Sequence, residues 1–308
     1  PEPHVNLEAG GGSQAEQTAA IMIRFEQELL NNPTDLVLVV GDVTSTMACA
    51  ITAQKLKVRV AHVEAGIRSD DWGMPEEINR LVTDSITNYF FTTSEVANEN
   101  LRKSGVTEDR IYFVGNTMID TLLKNRPRFI VPPIWEEVGL QEKDYIVLTL
   151  HRPANVDQES QLKDLMDEII NHSRGIPIVF PVHPRTAKSL QGLGITASNL
   201  HFIEPLSYLE FNFLVEKAKL VVTDSGGITE ETTVMGVPCI TLRENTERPE
   251  TITIGTNELI GTNPKAIQPA FEKLFNGDWK KGGIPPLWDG NTAERIVHHL
   301  LEIRNPSK

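Results

Sequence analysis

Six short polar clusters in this chain carry side chains able to do chemistry: Gly41-Asp42, Glu64-Ala65-Gly66, His151-Arg152-Pro153, His183-Pro184-Arg185, Asp224-Ser225-Gly226-Gly227 and Arg243-Glu244. Each follows directly on an apolar, β-branched run such as LVLVV, YIVLTL or ITL. Asp42 and Glu64 each leave such a run beside a glycine, and Glu76-Glu77 follow Pro75 at a helix start. Carboxylates gathered in one place raise one another's proton affinity, so one can donate a proton while another accepts. Asp42, Glu64 and one of the glutamate pair are therefore candidates for general acid and base. The other of the pair serves as N-terminal helix charge.

The Asp-Ser-Gly-Gly stretch lies between a strand and a helix, where glycines admit a close ligand and free N–H groups attract an anion. Ser225, Gly226 and Gly227 are thus candidates for a phosphate turn; the structural alternative is that Ser225 caps its own helix. A turn later, Glu230-Glu231 offer a carboxylate to a ribose hydroxyl pair or, more simply, to the helix dipole. His151 and His183, with Arg152 and Arg185 beside them, suit hydrogen bonds to a diphosphate or sugar. Arg243 and Arg248 add positive charge. His4, His172, His201, His298 and His299 fall in helix or surface contexts and are given no role.

Positioning these groups takes alternating β and α elements. Strands are expected at 36–40, 58–63, 89–92, 111–114, 145–150, 178–182, 200–203, 220–223 and 238–242. Helices are expected near 14–30, 45–56, 76–86, 94–104, 117–125, 158–172, 207–217, 228–235, 265–275 and 291–303. That alternation predicts parallel sheets with helices on both faces. In such sheets ligands bind outside the carboxyl ends of the strands. Residues 124–144, with scattered prolines and charge, read as a connector, with the hinge expected around 126–143. The expected division is 1–126, carrying the carboxylates, and 127–290, binding the nucleotide, with 291–308 a final helix packing back on the first domain. The fold class is α/β, two Rossmann-like domains facing across a cleft in a GT-B-like arrangement. The first half shows fewer strands than the second and opens Pro1-Glu2-Pro3, so a leading strand-helix unit is expected to be missing or trimmed.

Composition narrows the function. The 308 residues are 40% hydrophobic and 23% charged with a formal net charge of −13, a soluble globular pattern that argues against general binding to nucleic acid or anionic membranes. Cys49 and Cys239 sit in apolar stretches without a CxxC or Cys/His cluster, so a metal or disulfide framework is not expected. No apolar run reaches membrane-spanning length and no signal peptide is expected; the cytoplasm is the expected compartment. Gly10-Gly11-Gly12-Ser13-Gln14-Ala15 fits G-x-G-x-x-A formally, but the residues before it make a poor strand. Walker A, HExxH and GxSxG motifs are absent. No NAD, metal or other cofactor is called for.

In order and spacing, VVGDVTST, HVEAGIRS, MPEEINRLVTD, VGNTMIDTL, LTLHRPANVD, PVHPRT, TDSGGITEE, GVPCITLRENTERPE and PLWDGNTAERI together resemble the non-hydrolysing UDP-N-acetylglucosamine 2-epimerases. The resemblance implies a GT-B-like fold, a homodimer, no redox cofactor, and inversion of C2 to give the manno epimer. UDP would leave as the C2 proton is removed, and would add back to a bound glycal after protonation on the other face. It also implies acid/base roles for Asp42, Glu64 and Glu76 and an essential His151. It puts Ser225, Gly226 and Gly227 on the diphosphate, Glu231 on the ribose, Phe211 beside the uracil, and Arg248 and His183 in the nucleotide region. The family's leading strand and Gly-Thr-Arg-Pro-Glu turn have no counterpart in this sequence. Two other functions stay open: a glycosyltransferase of the same fold using a UDP-sugar, and a non-catalytic UDP-sugar-binding remnant. A 2,3-diacetamido uronic acid substrate could use nearly the same nucleotide grip.

Overall fold

The computed structural model describes residues 2–304 except 157, 183–186, 188, 189 and 191. His183 and Arg185 therefore lie outside the described residues. The chain divides into two units, residues 1–116 with 291–308, and residues 117–290.

In the first unit, helix α1 (Gln14–Asn31) starts at a capping box, Ser13 accepting from the Glu16 amide while Glu16 accepts from the Ser13 amide, which satisfies two otherwise orphaned donors. There follow β1 (Leu36–Val40), α2 (Thr44–Lys55), β2 (Arg59–Ala65), α3 (Pro75–Ile86), β3 (Tyr89–Thr92), α4 (Glu95–Lys103) and β4 (Ile111–Phe113). The strands form one parallel sheet in the order β1-β2-β3-β4. One face of β1 is covered: Val37 and Val39 are buried against Ala50, Ala53 and Phe25. Leu38 and Val40 are 45% and 50% exposed, so the expectation that helices flank LVLVV on both sides fails for this strand. The last helix, α10 (Thr292–Arg304), lays Ile296, Leu300 and Ile303 against Ala61, Val63, Phe91 and Val114 of the same unit.

The second unit opens with α5 (Thr117–Asn125) and continues β5 (Ile146–Thr149), α6 (Glu159–His172), β6 (Ile178–Pro181), β7 (Leu200–Ile203), α7 (Tyr208–Lys217), β8 (Leu220–Thr223), α8 (Gly226–Met235), β9 (Cys239–Thr241), β10 (Asn257–Leu259) and α9 (Ile267–Phe275). Its parallel sheet runs β10-β9-β8-β5-β6-β7. Alternation across the strands fills both faces. Ile146, Leu148, Leu220 and Val222 meet Leu165, Met166, Ile169 and Phe271 on one side, while Tyr145, Val147 and Val221 meet Leu214, Val215 and Cys239 on the other. Strand β10 has no sequence signal, because Asn257-Glu258-Leu259 lacks β-branched residues. Its buried Asn257 is satisfied instead by the Thr241 hydroxyl at 2.8 Å.

Helix α5 packs with the second unit, although the connector signal assigns it to the first. Ile119 and Leu122 are fully buried against Val234 and Trp288, and that burial outweighs the change in composition near residue 126. Because every strand of each sheet is parallel, the carboxyl ends of β1 and β2 lie at one edge of the first sheet. Those of β5, β8 and β9, three consecutive neighbours, lie at one edge of the second.

Candidate functional site

Two constellations result, one in each unit. In the first, the β1–α2 turn carries Asp42. Gly41 takes φ +69°, open to glycine without strain, and its N–H donates to the Val63 carbonyl at 3.0 Å. The Asp42 carboxylate accepts from Arg80 of α3, Oδ2 to Nη2 2.6 Å and to Nε 3.0 Å, and the Asn79 side chain donates to the Asp42 carbonyl at 2.8 Å. Helix α3 is thereby tied to the turn. Glu64 stands at a β-bulge, where the β2–β3 register shifts between Val63 and Ala65, and has φ +69°. A left-handed conformation at a non-glycine residue stores about 1–3 kcal/mol, and bulges re-aim a side chain at the end of a ladder.

The glutamate pair separates. Glu77 is buried: its carboxylate accepts from the Ser69 amide at 2.9 Å, the Ser69 hydroxyl at 3.0 Å and Arg80 Nη1 at 2.8 Å. Burial alone would raise its proton affinity, but these donors hold the carboxyl below its usual range. Glu76, half-buried, lines a cavity of about 280 Å³ with Thr44, Ser45 and Asn79. Of the two, Glu76 faces space that a substrate could enter. Arg80, missed by sequence reading, bridges Asp42 and Glu77. Its signal was its position one turn after a glutamate, the spacing of an i,i+3 ion pair.

In the second unit the hub is Asp224, fully buried at the end of β8. Its carboxylate accepts from the amides of His151 (3.0 Å) and Arg152 (2.9 Å), from the Asn155 side chain (3.1 Å), and from His151 Nδ1 at 2.7 Å. Burial pushes its proton affinity up, but His151, the Arg152 amide and Asn155 together bring it below the usual value. His151 itself is exposed, so the buried carboxylate orients a solvent-facing imidazole. Asp224 was legible only as part of its motif; nothing in the sequence reveals that it reaches across to β5.

Ser225 is the N-cap residue of α8 by backbone geometry but makes no side-chain cap bond, so the structural alternative is not realised. Gly226 admits no side chain freely: a Cβ there would stand 2.8 Å from Glu247 Oε1 and 3.7 Å from Arg243 Nη1. Arg243 is buried and pairs with Glu247 at 2.7 Å, while its other terminal nitrogen, Nη1, has no hydrogen-bond partner among the described residues. Burial raises the proton affinity of Glu247, yet the hydrogen bond and charge of Arg243 and the charge of Arg248 bring it down to about 2. Arg248 is hydrogen-bonded to buried Glu230. Both arginines are thus charge-compensated within the fold. Among the described residues, the α8 terminus and Arg243 Nη1 are open to an anion.

Glu231, buried one turn into α8, accepts from the Tyr208 hydroxyl at 2.8 Å, and burial lifts its pKa although Tyr208 and Asn212 pull the other way. Phe211 lies on α7 one turn beyond Tyr208, partly buried in the second core. The structure thus gathers Asp42, Glu64 and Glu76 at one edge of the first sheet, and His151, Ser225, Gly226, Gly227 and Arg243 at one edge of the second. Glu231 lies on α8 itself, Phe211 on α7, and Arg248 is bonded to Glu230 of α8. No cluster of three or more His, Cys, Asp or Glu among the described residues is arranged to hold a metal ion, and no described helix is long and apolar enough to cross a membrane.

Comparison with known proteins extends over almost all of these elements. The family profile described as UDP-N-acetylglucosamine 2-epimerase matches residues 1–301. A UDP-N-acetylglucosamine 2-epimerase of Methanocaldococcus jannaschii is 42% identical, the match covering 97% of this chain and 84% of that protein. A crystal structure of the enzyme from that organism, in complex with UDP-GlcNAc and UDP, superposes with a TM-score of 0.85 at 41% identity, covering 98% of this chain and 85% of that one. A UDP-2,3-diacetamido-2,3-dideoxy-D-glucuronate 2-epimerase of Pseudomonas aeruginosa is 37% identical over 98% of this chain and 85% of its own length. Two Rossmann-like units of GT-B-like type are common to this chain and to its structural relatives. With a family match running nearly end to end, the chain belongs to the UDP-N-acetylglucosamine 2-epimerase family.

Proposed function

We propose that the protein inverts C2 of UDP-N-acetylglucosamine, giving UDP-N-acetylmannosamine, by elimination and re-addition of UDP. The observation that carries this reading is the set Asp42, Glu64 and Glu76 at one sheet edge in a chain of this family. C2 itself carries the acetamido group and has no carbonyl neighbour, so its proton is barely acidic and its removal must accompany departure of the C1 substituent. One carboxylate takes the C2 proton, the C1–O bond breaks with its electrons to the diphosphate, and a C1–C2 double bond forms. A second carboxylate then protonates C2 from the opposite face, and a diphosphate oxygen returns to C1. Atoms and charge balance without an oxidant, so no redox cofactor is called for.

The second unit supplies the nucleotide grip. The α8 N–H groups behind Ser225, Gly226 and Gly227, with Arg243 Nη1, meet negative charge as it develops on the leaving diphosphate. His151, held at Nδ1 by Asp224, presents Nε2 to the same region. Glu231 accepts from the ribose hydroxyls, Phe211 flanks the uracil, and Arg248, His183 and Arg185 complete the nucleotide environment. A homodimer acting in the cytoplasm belongs to the same proposal.

Incubating the protein with UDP-N-acetylglucosamine alone, without an acceptor, and following the sugar by proton NMR tests the reading. The expected product is the manno epimer at equilibrium with substrate. A requirement for an acceptor would identify a transferase, and binding without turnover a non-catalytic chain. The 2,3-diacetamido glucuronate analogue run in parallel assigns the sugar.

A further inference from the structure

Beneath the carboxylates lies a buried pair to which the reaction assigns no step. His62, on β2 and 1% exposed, approaches Asp84 Oδ1 through Nδ1 at 2.8 Å and the Gly41 carbonyl through Nε2 at 2.8 Å. The other oxygen of Asp84 accepts the Gly66 amide at 3.1 Å and pairs with Arg68 at 2.7 Å. One chain of hydrogen bonds therefore runs from Gly41, the residue before Asp42, through His62 and Asp84 to Gly66, two residues after Glu64. A carbonyl oxygen can only accept, and so can a carboxylate. Two gaps flanking the imidazole must each hold a proton, so the pair carries one proton more than a neutral ring beside a carboxylate. Because Arg68 and the Gly66 amide hold Asp84 as a carboxylate, the extra proton sits on His62, which is an imidazolium.

Resting on the epimerase reading, we propose that His62 is a positioning residue: together with Asp84 it fixes the turn bearing Asp42 relative to the bulge bearing Glu64, and holds both acids in register for proton transfer. The bulge makes such a tie necessary. Glu64 has a strained backbone, and strain of this kind persists only where surrounding bonds over-determine it. Gly66 is pinned on its far side as well, since a Cβ there would stand 2.4 Å from the Ala97 carbonyl. Removal of one proton from the pair leaves two acceptors facing each other across one gap, and the turn or the bulge is released.

The charged surroundings of His62 are few. Asp84 faces it from α3, Arg68 lies behind Asp84 in the loop after β2, and Glu64 follows on its own strand. Its register neighbours Val39 and Phe90 are uncharged, though Arg110 stacks on the Phe90 ring at 5.2 Å. From the β1–α2 turn it meets the Gly41 carbonyl, and the Asp42 carboxylate on that turn is engaged by Arg80. Burial by itself would favour the neutral ring. The hydrogen bond and charge of Asp84, the Gly41 carbonyl and the charge of Glu64 together raise the pKa above its ordinary value. Exchange at C2 should therefore hold across neutral pH and fall as pH rises through that elevated value.

The test combines one variant with one measurement on the unaltered chain. In His62→Gln, whose amide cannot donate in both directions, kcat for epimerisation should fall about 100-fold, the scale expected of a misplacement near 1 Å. KM and UDP affinity should stay within about threefold, because the nucleotide grip lies in the other unit. Histidine 15N NMR of the unaltered, ligand-free protein should show one ring doubly protonated at pH 7.5, and it requires neither a folded variant nor an active enzyme. A variant with unchanged kcat and pH profile, beside an active wild type, overturns the positioning role alone. So does a spectrum in which every ring is neutral at pH 7.5. An inactive wild type brings down the functional reading and the positioning role together.

Discussion

At Glu76 and Glu77 two identical side chains, adjacent in sequence, meet different surroundings, and their substitutions should part accordingly. Glu77 is sealed against Ser69 and Arg80, and removing one partner of a buried pair typically costs about 3–5 kcal/mol. We expect Glu77→Gln to lower stability on that scale in urea titrations. Glu76→Gln should leave the urea midpoint within about 0.5 kcal/mol of wild type while cutting turnover about 10²–10⁴-fold. Equal effects on stability would show that the two roles have been assigned wrongly. The buried His62–Asp84 pair sets two limits on stability. The pKa of His62 is raised on folding, so its contribution is complete below the unfolded value of about 6.5 and is lost as pH rises through the folded one. For Asp84 burial raises and His62 and Arg68 lower, with a net decrease. Its contribution is present above about 3.9 and disappears as pH falls through the folded value. Urea midpoints measured from pH 3 to 10 should decline at both ends, and His62→Gln should flatten the alkaline decline.

At the level of single elements, two glycines make opposite predictions. In Gly66→Ala the new methyl meets the Ala97 carbonyl at 2.4 Å with φ +79°, a backbone contact that cannot yield. Helix α4 must shift, and the melting temperature should drop markedly. In Gly226→Ala the nearest atom, 2.8 Å away, is the carboxylate tip of Glu247, which can swing aside. The fold should survive, while UDP affinity measured by calorimetry falls because a methyl group intrudes on the α8 turn. Helix α5 shows where sequence reading ran short. Its amphipathic pattern was plain, but which unit it joins was decided by Ile119 and Leu122 burying against Val234 and Trp288, residues more than a hundred positions away. Leu122→Ala should cost about 2–5 kcal/mol in the urea transition of the second unit. Strand β10 escaped for a related reason: its residues are poor strand formers, held by the Thr241–Asn257 hydrogen bond and by pairing to β9.

Across the whole molecule, the α/β class and nine of the ten strands among the described residues could be read from short β-branched runs, because parallel strands leave a nearly continuous apolar signature, even in β1, where one face is exposed. Asp42, Glu64, His151, Ser225, Gly226, Gly227 and Arg243 were equally legible as polar clusters beyond those runs, whereas Glu76 and Glu231 were read from helix positions and Phe211 only from the family resemblance. What stayed hidden were the groups that hold them: Arg80 on Asp42, Asp224 on His151, and His62 with Asp84 beneath the bulge. Such partners are set by tertiary contacts between distant positions, and a local pattern carries no trace of them. Even the exposed Leu38 and Val40 look in sequence like any other core positions. UDP at about 100 times its Kd should add about 2.7 kcal/mol to stability, seen as a rise in melting temperature. The most direct test of C2 inversion through proton removal is incubation with UDP-N-acetylglucosamine in deuterated water. Deuterium at C2 of the manno product, introduced from solvent and without added cofactor, is the predicted outcome. An inverted product that keeps its original C2 protium would contradict it.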